Sequence, residues 1–240
     1  MPRPESIPSR PRPAITKPIE RSAAISLERL QCGLQDIYEL DIAHKVDDFL
    51  VTSNTLLSQL NTGNSNNNAR EKLLVIEDDD GLNLSLYLDE KLLNHYIRHD
   101  PLDRLGQHNV QEFCQVLEGI SHFLYLVWNA TYDRSVTLLE MELQAEVDKY
   151  IMLLECMERQ SVSPVPGQLS RLLFEGNVYH EDLSHEEHRR YRQATSYAMR
   201  YCRELEKRFL SGSREGLLSE LRRFYRLTKQ GKLDRICQSH

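Results

Sequence analysis

The stretch SVTLLEMELQAEVDKYIMLLECME, residues Ser135 to Glu158, decides how the rest of the chain is read. Leu139, Leu143, Val147, Tyr150 and Leu154 recur at helical spacing and share one face, while Leu138, Met141, Ala145, Met152 and Cys156 share a second. A helix that is apolar on two sides has neighbours on both. This segment is therefore expected to be the central helix, capped by Asp133 or Ser135. Glu146 precedes Lys149 at pairing distance on the helix surface. Glu140 falls near an apolar face and lacks such an account.

Upstream, the period changes twice. Leu27, Leu30, Leu34, Ile37 and Tyr38 fit a helix beginning near Ser26, and Ile42, Val46, Phe49 and Leu50 fit a second helical run to about Leu60. Residues 61–68 contain no apolar side chain and read as a surface loop. Leu82, Leu84, Leu86 and Leu88 then alternate with polar residues and Tyr87, the period of a strand, and follow the apolar run Leu73 to Ile76 across an acidic turn with Gly81. Residues 72–88 are thus one β-hairpin. A two-stranded hairpin is marginal alone, so it needs helices against it or a partner at its edge. A short helix over 89–98 stops at Asp100-Pro101. Asn109 and Glu112 have capping-box spacing ahead of a helix with a wide apolar face.

Downstream, Ser161 to Gly167 contains two prolines and a glycine and ends the central helix. Helices over about 184–210 and from Ser213 to a closing Gly231 form an antiparallel pair. The fold class is mainly α, a multi-helix domain with one hairpin. Its expected organisation is a disordered Pro- and Arg-rich tail over 1–22, an acidic helical core over 23–160, a linker over 161–167 and a basic helical hairpin over 168–240.

Hydrophobic residues make up 40% of the 240 and charged residues 28%, enough apolar content for a packed core. No apolar run approaches the ~18 residues a membrane helix requires, and the proline-rich start is not a secretory signal. Five widely spaced cysteines without a Cys-x-x-Cys pair read as reduced thiols. A cytoplasmic location and no membrane contact are expected.

The net charge of −6 conceals segregation. Residues 185–240 carry fourteen basic and seven acidic side chains, whereas residues 23–184 are strongly acidic. On the long helix Arg189, Arg192, Arg200, Arg203 and Lys207 share one face, opposite Ala194, Ala198, Tyr201 and Leu205. Arg222, Arg226 and Lys229 extend the basic set on the next helix. Such a face suits an anion, and the principal reading is a non-catalytic accessory or adaptor protein that binds an acidic protein partner. An alternative is a nucleic-acid-associated protein using the same stripe, which the acidic total opposes. The hairpin edge admits a homodimer.

Chemical sites are sparser. Glu118, His122 and Tyr125 lie on successive turns of one helix, where a carboxylate can orient an imidazole for acid–base work. They also suit a buried polar network. This constellation carries a third reading, a helical enzyme or metal protein. His95, His99 and Asp103 are spaced as metal ligands on one helix face, but Tyr96 stands where a zinc protease needs Glu. His180, His185 and His188 form another group among acids. No phosphate loop or dinucleotide fingerprint occurs, and no cofactor is expected.

Overall fold

A computed structural model of the chain describes residues 18–53, 70–78, 81–162, 167–175, 184–209 and 212–238. Eight helices and a small three-stranded sheet form among them. The chain divides into two compact units. The first contains residues through Cys32 together with Ile42–Arg134, and the second contains Gly33–Asp41 together with Ser135–His240.

Helix α1 (Pro18–Tyr38), which belongs to the first unit through Cys32, begins well before Ser26. Proline is tolerated there because the first helical N–H groups have no intrahelical acceptor. The expected cap at Ser26 is therefore corrected. Residues 1–17 lie outside the described set. Ser26 is buried inside the helix and its hydroxyl donates to Asp100 at 3.2 Å. The helical run expected from Ile42 is also corrected over its first part: after one 3-10 turn (Val46–Phe49) the chain enters strand β1 (Leu50–Val51), while its continuation over 54–60 lies outside the described residues. Gln31 explains the departure, since its amide donates to the His44 carbonyl at 2.7 Å and accepts from the Val46 N–H at 2.9 Å. A side chain thus holds backbone groups that a helix would use. The expected loop over 61–68 lies outside the described residues.

The hairpin forms as read, from β2 (Glu71–Asp78) and β3 (Gly81–Leu88), with Leu74 opposite Ser85. β1 adds in parallel on the other side of β3, giving the order β1-β3-β2. β3 buries Tyr87 as well as Leu84, Leu86 and Leu88, so its alternation is lost. Tyr87 packs with Leu74 and Val51. Helix α2 (Glu90–Arg98) is capped by the Asp89 carboxylate, which accepts from the N–H groups of Lys91 and Leu92. Helix α3 (Val110–Ala130) crosses the sheet at Gly119, where an added Cβ would lie 2.8 Å from Leu86 Cδ1 and 2.9 Å from Glu71 Cγ. The expected capping box at Asn109 is absent. The Asn109 side chain instead accepts from the Gly106 N–H and donates to the carbonyls of His99 and Arg104, bracing the loop before the helix.

In the second unit, the central helix α4 (Leu138–Arg159) is buried at every position from 140 to 154. Its cap is Thr137 rather than Asp133 or Ser135. Thr137 and Glu140 form a reciprocal capping box, which accounts for the otherwise anomalous Glu140. α4 packs on α5 (Gln168–Phe174) and extensively on α6 (His185–Phe209). It therefore groups with the C-terminal helices, and the first unit ends at Arg134. Gly167 supports the α5 start with a left-handed φ of 76°.

The last helix of the sequence reading is two helices, α7 (Arg214–Tyr225) and α8 (Lys229–Cys237). Thr228 restarts the chain by accepting from the Gly231 N–H, so Gly231 lies inside α8 instead of closing a helix. α6 and α7 form the antiparallel pair, joined by the stacked rings of Tyr201 and Phe224 at 3.9 Å.

Candidate functional site

The amphipathic period of α6 places its faces. Ala194, Ala198, Tyr201 and Leu205 are buried, whereas Arg189, Arg192, Arg200 and Lys207 are exposed. At 1.5 Å per residue the span from Arg189 to Lys207 is about 27 Å. Arg203, half-buried within the same face, pairs with Glu175. Arg189, Arg192 and Lys207 have no ion pair among the described residues.

The stripe ends at a shallow cleft of about 310 Å³ lined by Gly167, Arg171, Arg203, Glu206 and Lys207. Glu206 is almost wholly buried and accepts from the Gly167 N–H at 2.8 Å. It also bonds the Tyr150 hydroxyl, whose pKa burial pushes far above the usual phenol range. That carboxylate is thus satisfied from inside. Arg171 on α5 adds an exposed cation that the sequence reading of the stripe omitted, because no helix-face projection relates α5 to α6.

The basic residues expected on the last helix have different duties. Arg222 pairs with Glu39 at 2.9 Å and donates to the Ile37 carbonyl at 3.0 Å. Arg226 donates to the carbonyls of Tyr38 and Glu39. Together they hold the C-terminal end of α1, where Glu39 adopts a left-handed φ of 52°. Lys229 is exposed at the start of α8. Cations elsewhere in this unit also sit on carboxylates: Arg214 on Glu155 and Glu158, and Arg235 on Glu204 and Glu220.

Glu118, His122 and Tyr125 all lie on α3, with Glu118 half-buried and the other two buried. His122 Nδ1 is 3.7 Å from Glu71 Oε1 on β2, so the imidazole faces the sheet carboxylate that Gly119 admits. Glu71 escaped the sequence reading because strand and helix are distant in the chain. His95 and His99 come together, with ring centroids 4.7 Å apart. Asp103 does not join them; it pairs with Arg29 at 2.8 Å. Of the remaining histidine group, His185 is exposed, His188 is half-buried, and His180 lies outside the described residues.

A second buried polar cluster had no signal in the sequence. Tyr38 donates to Asp148, Gln144 donates to the same carboxylate at 2.8 Å, and Lys232 donates to Gln144. Burial, and next the charge of Asp148, push the Tyr38 pKa well above the phenol range. No helix among the described residues is long and apolar enough to cross a membrane. No protein family, curated protein or solved structure matches the chain.

Proposed function

We propose that this chain is a non-catalytic interaction protein that docks an acidic protein segment along the basic face of α6. The supporting observation is that Arg189, Arg192 and Lys207 lie exposed without an ion pair among the described residues. Arg208, Arg214, Arg222 and Arg235 in the same unit each meet a carboxylate. Cations left in water along one face retain their charge for a ligand, and their field extends about 10 Å at 0.1 M salt.

Binding to immobilised poly-glutamate tests the reading. The wild type should be retained at low salt and released at high salt. Each exposed pair contributes roughly 0.2–1 kcal/mol, so the combined variant Arg189→Glu, Arg192→Glu, Lys207→Glu should weaken retention by about tenfold or more. The control Arg223→Glu, an exposed site on α7, should behave as wild type. Equal retention of the triple variant rejects this face. Stronger retention on duplex DNA than on poly-glutamate would instead favour the nucleic-acid reading.

A further inference from the structure

The cleft at the end of the α6 stripe is built by two helices, and its cations come from both. α6 contributes Arg203 and Lys207, one turn apart on the same face, and α5 contributes Arg171. Gly167 and Glu206 complete the lining of the hollow, about 310 Å³ in volume. The Arg171 guanidinium lies back toward Gly167, with Nη2 3.5 Å from where a Cβ on that residue would sit.

The carboxylates nearby leave this charge available. Glu206 accepts from the Gly167 N–H at 2.8 Å and bonds the Tyr150 hydroxyl, so it is satisfied within the fold. Glu175 holds Arg203, but the two side chains are 48% and 43% exposed. An exposed pair of that kind contributes little and is screened by salt, so a stronger anion displaces Glu175 into water at small cost. Arg171 and Lys207 are exposed and have no ion pair among the described residues.

We propose that this cleft receives the phosphate of a phosphoserine or phosphothreonine carried by the acidic segment that docks on α6. The assignment rests on the docking proposed for that face and names the chemistry of its partner. A phosphate monoester carries about −1.5 to −2 charge at pH 7 and three strong acceptor oxygens. Two guanidinium forks and an ammonium match that set, whereas a single side-chain carboxylate is satisfied by one fork. Clusters of arginine are a recurrent device for reading phosphorylated motifs.

The dimensions suit one short ligand. From Arg192 to Lys207 the helix rises about 22 Å, which an extended chain covers in about seven residues. A single acidic segment therefore reaches from the exposed arginines of α6 to the cleft and delivers one phosphorylated side chain there.

Fluorescence polarisation tests this site, with the full-length protein titrated into labelled glutamate-rich peptides of about twelve residues. Their central residue is serine, glutamate or phosphoserine. The phosphoserine peptide should bind about tenfold or more tightly than either of the others. Arg171→Ala should remove most of that difference while changing the affinity for the serine peptide by less than about twofold. The double variant Arg189→Glu, Arg192→Glu should weaken all three peptides, because it alters the face and not the cleft. Arg171 is exposed, and circular dichroism verifies the fold. Equal affinity for the three peptides rejects the phosphate site and leaves the α6 face standing, and a phosphoserine preference undiminished by Arg171→Ala also rejects the site. Binding of the phosphoserine peptide alone, lost in Arg171→Ala, supports the cleft and rejects the wider face. Failure of every peptide to bind rejects both.

Discussion

The amine of Lys232 is withdrawn from water entirely, at 0% exposure. It donates to Gln144 and lies 4.8 Å from the Phe224 ring centroid and 5.8 Å from that of Tyr225. Burial drives its pKa down to about 7, against the upward pull of Asp148 and then Glu140. In the unfolded chain a lysine titrates near 10.4. Between about 7 and 10.4 the unfolded state holds a proton that the folded state has released, so stability rises with pH across that window. Below the folded value both states are protonated and the fold bears the full cost of a buried ammonium. Denaturant midpoints measured from pH 6 to pH 9 should therefore climb for the wild type above pH 7, by at most about 1.4 kcal/mol per pH unit. Lys232→Met should flatten the profile, because the amine is gone and a flexible apolar chain occupies its volume. Parallel profiles for the two proteins would contradict the assignment. Nothing in the local pattern Lys-Gln-Gly-Lys marks this lysine as internal, since a basic residue in a polar helix ordinarily reads as solvated. Its burial comes from Gln144 on α4, remote in the chain, and from Phe224 and Tyr225 at the end of α7.

Among the elements, those with a sustained period or a clear cap and stop were legible, including the short α2, and β1 was not. α4 and α6 repeat their apolar pattern over several turns, so their faces follow from periodicity alone. The hairpin likewise announces itself by alternation and turn chemistry. β1, two residues long, pairs with β3 in parallel across a wide sequence separation, and so short a segment has no period to read. The site divides the same way. The α6 stripe follows from one helix, while Arg171 and Glu71 reach their places through tertiary contacts. Caps behave intermediately: Thr137 and Glu140 carry a capping signature that the nearby Asp133 and Ser135 obscured. Thr137→Ala should destabilise the protein by about 1 kcal/mol in urea unfolding. Gly119→Val should cost about 1–3 kcal/mol, because its branched side chain meets Leu86 and Glu71 where α3 crosses the sheet. A neutral result at Gly119 would mean that helix and sheet separate there at little cost.

At the scale of the whole molecule, five free cysteines provide internal reporters. Cys32 and Cys237 are exposed, whereas Cys156 and Cys202 are buried, and burial pushes the Cys202 thiol pKa well up. A thiol-specific reagent should label the two exposed positions at once. Cys156 and Cys202 should react only as the second unit opens, since the thiolate is the reactive form. Cys202 reacting as fast as Cys237 would be incompatible with this packing. The charge segregation legible in the composition also acts at this scale. Much of the basic C-terminal charge is neutralised inside its own unit, through Arg214, Arg222 and Arg235. The α6 face is what that internal pairing leaves over.

The second unit is assembled from two separated pieces of chain, and residues 33–41 contribute Tyr38 to Asp148 and backbone acceptors to Arg222 and Arg226. Cutting the gene at the unit boundary would therefore strip the C-terminal half of a piece of its own interior. A fragment spanning 135–240 should melt early and recover when a synthetic peptide covering 33–41 is added, saturably, as in enzyme reconstitution from split halves. The same peptide with Tyr38→Phe should rescue less well, which makes the nine-residue segment a detachable keystone whose fit can be titrated.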